Sequence, residues 1–230
     1  KHTTMWKKLF ILVMVLSTGL CAWSADGDTF QAETPGGVMM KFKVISEAEK
    51  TCAVASNAID YTTKGVVTVP EDVKGYKVVE ILQSSFYHCQ QITSVSLPNT
   101  LNNIGSGAFQ YCTSLTDITL PTSLTAIGSY AFDYCTSLTD ITLPASLTTI
   151  GYYAFGDCSS MKRVYSLMEK PIEINTRTFD WDKVVLIVPQ GARDEYKNSS
   201  GWKDAVVFED GDKIYDKIYL IKELCMITKE

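Results

Sequence analysis

Histidine is nearly absent from this 230-residue chain, which holds only His2 and His88. Nucleophilic catalysis usually draws its base from histidine, so the catalytic repertoire is narrow from the outset. No Cys-x-x-Cys and no close histidine pair occurs, which removes the tetrahedral ligand set of a zinc site. Basic residues are also scarce, at 21 lysines and arginines against 26 acidic side chains. A surface of that sign repels nucleic acid and anionic lipid. Long apolar runs are missing as well: Leu9 to Leu16 is unbroken, but it is shorter than the ~20 residues that cross a bilayer, and no second run like it follows.

What is present begins with an export signature. Met5-Trp6-Lys7-Lys8 is a basic start, the apolar run follows, and Ala22-Trp23-Ser24 places small residues around a cleavage position. Residues 1–24 therefore read as a secretory signal peptide with Lys1 to Thr4 upstream of its first methionine. Export places the mature chain in the medium or at a cell surface. A lipid anchor on Cys21 is the weaker option, because Leu20 stands where a small residue would be wanted. Loss of residues 1–24 removes three lysines and no acids, leaving 18 basic against 26 acidic residues and a net charge of −8. Protein, glycan or cation partners suit such a chain, and no transmembrane segment is expected in it.

The dominant feature is a repeat. Cys89, Cys112, Cys135 and Cys158 fall at intervals of 23, and Phe86, Phe109, Phe132 and Phe155 keep the same interval three residues ahead. A period of this length marks a solenoid, whose units bury their apolar faces only against one another. Each period contains a short alternating segment around Val95, Ile118 or Ile141, then Pro98, Pro121 or Pro144, then Ile104-Gly105, Ile127-Gly128 or Ile150-Gly151. The alternation predicts a strand with one buried face, the proline ends it, and the glycine supplies a corner. Ala-Phe-x-x-Cys then packs inward as a helical turn or loose coil. One period upstream, five extra residues around Val73 to Val79 predict a bulging loop. Downstream, Phe179 arrives one position late.

These residues carry a family resemblance. Leu115 to Cys135, with its Pro, Gly, Phe and Cys in place, resembles the leucine-rich repeat of the BspA-like, or Treponema pallidum, type, and Val188-Pro189-Gln190-Gly191, Tyr196 and Gly201-Trp202-Lys203 resemble the closing cap of such proteins. The resemblance covers roughly residues 60–208. It implies an α/β solenoid, a leucine-rich repeat with a short-stranded parallel sheet, an N-terminal β-hairpin cap and a C-terminal cap. It also implies a secreted or surface protein that binds protein or glycan, adheres, has no cofactor and is not an enzyme. The expected organisation is 25–64 as the N-terminal β cap, 65–189 as repeats, 190–209 as a helical C-terminal cap, and 210–230 as a tail that either docks as an amphipathic helix or frays.

Within that frame the periodic cysteines read as buried free thiols, since equivalent positions on successive coils point in parallel and cannot close a disulfide. His88 shares its slot with Tyr111, Tyr134 and Asp157, which marks a surface position rather than a catalytic base. The outward strand face carries Asp117, Thr119, Asp140, Thr142, Arg163 and Tyr165, and the turns carry Tyr111, Tyr130, Tyr134, Tyr152 and Tyr153; these are the candidate binding residues. Asp117 and Asp140 would lie about 5 Å apart on neighbouring strands, the spacing of a retaining glycosidase. A glycan-active accessory or hydrolase is accordingly the alternative. Against it, the two carboxylates would point in parallel from one face instead of flanking a substrate.

Overall fold

A computed structural model describes residues 25–209, and within them each repeat winds into one coil stacked on the next. Two faces of each of the first four coils are strands, and the later coils keep only the first of them. The first face runs through β4 (Gly65–Thr68), β7 (Ile92–Ser96), β9 (Asp117–Ile118), β11 (Asp140–Leu143), β13 (Arg163–Ser166), β14 (Val185–Val188) and β15 (Val206–Glu209). Its members pair in parallel as a three-stranded sheet, β4-β7-β9, and a four-stranded sheet, β11-β13-β14-β15. Register repeats with the period: Val95 lies opposite Ile118, Ile141 opposite Val164, and Val164 opposite Leu186. These inward residues are all buried, as the alternation requires.

The second face comes from residues expected only to turn a corner. Asn103–Ile104, Ala126–Ile127 and Thr149–Ile150 form β8, β10 and β12, which add in parallel to β6 (Tyr76–Ile81). At the other end of this sheet β6 meets β3 (Thr51–Val54) in parallel, while β3, β2 (Met39–Ser46) and β1 (Thr29–Glu33) are antiparallel. Two-residue strands are too short to display alternation, which is why periodicity alone overlooks them.

The third side is the Ala-Phe-x-x-Cys turn. Phe86, Phe109, Phe132 and Phe155 stack with ring centroids 4.9, 5.2 and 5.1 Å apart and nearly parallel planes. Phe179 joins the pile at 4.8 Å despite its extra residue, since Thr178 takes the place of alanine as acceptor for the next-lower coil. Hydrogen bonds run in opposite senses on the two sides of the coil. At the glycine corners the later coil donates backward, Gly128 N–H to Ile104 C=O at 2.7 Å; along the turns the earlier coil donates forward, Phe109 N–H to Ala131 C=O at 2.7 Å.

The thiols follow the same register. Cys112, Cys135 and Cys158 donate Sγ–H to the carbonyls of Phe86, Phe109 and Phe132 at 3.1, 3.2 and 3.1 Å. They are therefore weak donors as well as space-filling groups. Side-chain hydroxyls repeat the device elsewhere: Thr100, Ser123 and Ser146 donate to Val78, Leu101 and Leu124 carbonyls, one coil below.

Several expectations are revised. Helix among the described residues is confined to α1 (Arg193–Asn198), so the solenoid is built of strands and turns rather than α/β units. Of the two forms expected for the Phe-Cys turn the structure has the loose coil, with a residue at each end at positive φ, Tyr130 at 58° and Tyr134 at 58° in one coil. The segment 73–79 is not a bulging loop. It folds as a hairpin of β5 (Asp72–Val73) on β6, turned by Lys74 and Gly75 at φ 49° and 83°, the signs of a type I′ turn. The expected helical stretch 191–208 stops early, and Val206–Glu209 pairs with β14 as a strand. The proposed signal peptide and the tail at 210–230 lie outside the described residues.

The corner glycines have a different reason from the one expected. Gly105, Gly128 and Gly151 do not adopt positive φ; instead a Cβ there would stand 2.6, 2.5 and 2.3 Å from a backbone nitrogen of the preceding coil. Backbone cannot retreat as a flexible side chain does. Gly128→Ala is expected to cost about 1–3 kcal/mol through forced separation of two coils, measured by urea unfolding of the variant against wild type. The thiols yield a second prediction. Burial pushes Cys52 up to about 12, Cys89 to about 11 and Cys158 to about 12, and holds Cys112 and Cys135 well above the ordinary thiol value. With Cys21 and Cys225 replaced by serine, Ellman's reagent at pH 8 should find almost no reactive thiol until denaturant is added.

Candidate interaction surface

The tyrosines are placed by a backbone rule that spans coils. Ser84, Gly107, Tyr130 and Tyr153 occupy one slot at φ 56°, 59°, 58° and 52°, and His88, Tyr111, Tyr134 and Asp157 another at 59°, 63°, 58° and 48°. Both slots are left-handed, a conformation that bulky side chains rarely adopt. The slots project their side chains from the turn side in two files. In one, His88 stacks on Tyr111 at 4.5 Å and Tyr111 on Tyr134 at 4.8 Å, with Tyr87 edge-on to both His88 and Tyr111. In the other, Tyr130 stacks on Tyr153 at 5.7 Å, and Tyr152 meets both edge-on.

Stacking uses the ring faces against one another and leaves edges and hydroxyls outward. Tyr87, Tyr130, Tyr134 and Tyr152 are each about 40% exposed, while Tyr111 and Tyr153 are partly covered. Arg177 closes the second file: its guanidinium lies over the Tyr153 ring and donates to the Tyr153 hydroxyl at 2.8 Å. The Asp157 carboxylate pushes the Tyr134 phenol above its ordinary pKa. Tyr87 and Arg177 join these files without having been singled out from the sequence, and His88 joins as the surface residue that shares the slot of Tyr111 and Tyr134. The signal existed in the residue types sharing the slots, since glycine, histidine and aspartate are those that tolerate left-handed backbone best.

On the strand face the candidates divide. Asp140 pairs with Arg163 on the next strand and accepts from the Thr139 hydroxyl at 2.7 Å, and Arg163 also lies 5.9 Å over Tyr165. Asp117 instead receives a long 3.5 Å contact from Ser94 on the strand before it. β9 and β11 share no pairing, so the two aspartates face different partners. Thr119 and Thr142 are exposed. Burial alone would raise Asp140, but its bonds to Arg163 and Thr139 outweigh it and hold the carboxyl below its usual value. The general acid of glycoside cleavage calls for a shift in the opposite direction.

Coils of 23 residues with parallel short strands, an inward phenylalanine pile and a proline-glycine frame define a leucine-rich-repeat solenoid. Residues 73–184 match the family model of the BspA type leucine rich repeat region, in six copies. The chain is similar to a Treponema pallidum leucine-rich repeat protein at 26% identity, covering 78% of this chain and 84% of that one with a TM-score of 0.61. It is similar also to a leucine-rich repeat protein from Bacteroides ovatus (27% identity, 66% of this chain, 36% of that one, TM-score 0.50). A leucine-rich cell surface protein from Faecalibacterium prausnitzii shares the fold (21% identity, 81% and 41% covered, TM-score 0.51). The chain thus spans well under half of the latter two proteins. No curated protein matches it.

The Asp140–Arg163 pair gives a pH prediction. A folded-state pKa below the unfolded value contributes stability that is present above the unfolded pKa and lost as pH falls through the folded one. Both side chains are about a third exposed, which screens the pair. Asp140→Asn should therefore lower the unfolding free energy by less than ~1 kcal/mol at pH 7, and the difference should shrink as acid protonates the carboxylate, below its ordinary range. Urea titrations at pH 7, 5 and 3 check it.

Proposed function

We propose that this chain is an exported, non-catalytic interaction module that binds protein or glycan at a cell surface through its tyrosine files, with the Asp140–Arg163–Tyr165 patch as the second contact area. One observation carries the reading. Bulky tyrosines sit in left-handed slots, although Gly107 occupies the same slot as Tyr130 and Tyr153 without penalty. Each such residue costs about 1 kcal/mol or more in backbone energy. Stacking, at about 0.5–1.5 kcal/mol per pair, offsets part of that. The remainder is accounted for by contact with a partner, since tyrosine supplies rigid amphipathic area.

One relative of the same fold supports the reading. The F. prausnitzii protein of the same fold is a cell surface protein. No helix among the described residues is long and apolar enough to cross a membrane. In this reading β1 to β3 cover the first coil, and Trp181, Tyr196 and Trp202 cover the last. Trp181 and Trp202 donate their indole N–H to the carbonyls of Gly201 and Ile172, and Tyr196 donates to Met168, so the closing aromatics bring no unpaired donor inside.

Asparagine separates binding from folding, because it accepts left-handed backbone while removing the ring. A Tyr111→Asn, Tyr130→Asn, Tyr134→Asn, Tyr153→Asn variant should keep a melting temperature within several degrees of wild type. It should lose at least tenfold in binding on an array of matrix proteins and glycans. Binding that survives this variant, or that falls only when Asp117 and Asp140 are changed to asparagine, would remove the tyrosine assignment.

A further inference from the structure

The outer side of the first strand face changes character toward its last strands. In register, Thr142 on β11 lies beside Tyr165 on β13, Tyr165 beside Ile187 on β14, and Ile187 beside Phe208 on β15. Alternation turns these four outward, since Ile141, Val164, Leu186 and Val207 next to them join the continuous core. Earlier outward positions such as Ser96, Asp117 and Thr119 are polar and exposed. Ile187 and Phe208 are instead apolar and only 4% and 6% exposed, although neither belongs to that core. β15 is the last strand of its sheet, so strands flank Phe208 on one side only. An outward ring in that position is dry only beneath a cover. A cavity of about 250 Å³ opens along the same file, walled by Tyr165, Leu167, Ile187 and Pro189, with Leu167 exposed at its rim.

We infer that residues 213–225 of this chain supply the cover, lying across the outer side of β13, β14 and β15 with Ile214, Ile218 and Ile221 against Tyr165, Ile187 and Phe208. The segment follows Glu209, the last residue of β15, after Asp210-Gly211-Asp212, and these are turn formers suited to reversing the chain onto the face it has just left. Ile214, Ile218, Ile221 and Cys225 recur at the spacing of one helix stripe, and Asp216 and Glu223 fall opposite it. A helix of this length extends about 20 Å, whereas the outer two of three adjacent strands are about 10 Å apart. The stripe is therefore long enough to cross all three strands, and its width suits a single apolar file.

The contact is intramolecular and goes beyond the binding reading, standing whether or not the chain takes protein or glycan. Where it does, the cover shares Tyr165 with the Asp140–Arg163–Tyr165 patch. A ligand of that patch must displace residues 213–225 or include them.

Photo-crosslinking within the mature chain tests the assignment. p-Benzoylphenylalanine placed at Leu167, irradiated in a dilute mixture of isotopically light and heavy protein, should join to peptides within residues 213–225 of the same copy. Placed at Ser96, on the same face several coils earlier, it should not. Ile214→Ser, Ile218→Ser, Ile221→Ser together should lower the crosslink yield at least tenfold and raise bis-ANS fluorescence at least threefold by uncovering the face. This triple variant changes no residue of the solenoid, so the coils stay folded, as far-UV circular dichroism should confirm. Ile187→Ser, which alters the face and leaves the segment intact, should lower the yield at least threefold. Crosslinks joining heavy to light protein would make a second copy the occupant. Equal yields from Leu167 and Ser96 would make the contact nonspecific, and an unchanged yield in the triple variant would leave the isoleucines no part in it. Each of these three results, like a Leu167 probe that reaches nothing in residues 213–225, would overturn the assignment.

Discussion

Everything in this molecule depends on successive coils approaching to hydrogen-bond distance at their glycine corners and turns. A 23-residue coil has too few residues to enclose its own apolar side chains, so its interior is dry only when the coil above seals it. The seal is made by backbone contact at the strands, at the glycine corners and at the turns. Gly105, Gly128 and Gly151 permit it by having no Cβ between two backbones. Once the spacing is set, every side chain that recurs is placed one step above its equivalent. Phenylalanine rings must stack, thiols must meet the carbonyl one coil down, and tyrosines must form files.

That constraint explains which parts were legible in the sequence. The period, the strand at each Leu-x-x-Ile segment and the buried phenylalanines and cysteines follow from spacing alone. Their outcome is an internal pile from Phe86 to Phe179 with planes within 8° of parallel. The second strand ladder was not legible, because Ala126–Ile127 holds too few residues to reveal a two-residue alternation. The glycine role was misjudged for a related reason: a sequence records that a residue lacks a side chain, but not whether torsion or proximity demands it. The hairpin at 72–81 was hidden because its turn, Lys74-Gly75, begins on a lysine that seldom takes positive φ.

The candidate site was legible in identity and less so in arrangement. Tyr111, Tyr130, Tyr134, Tyr152 and Tyr153 were recognisable as surface groups. Their division into two files follows from two left-handed slots per coil, which no single repeat discloses. Asp117 and Asp140 occupy equivalent positions in the repeat, yet the break between β9 and β11 gives them separate partners. Equivalence in sequence is therefore equivalence of backbone position only. The neighbour within reach, Arg163 for Asp140 and Ser94 for Asp117, decides what the carboxylate does.

The opposed sense of donation on the glycine and turn sides bears on how such a stack grows. In an α-helix all peptide dipoles point one way and charge accumulates at the termini. Here Gly128 donates toward one end while Phe109 donates toward the other, so their dipoles oppose. Adding coils therefore builds a smaller field at the tips than the same number of aligned peptide groups would.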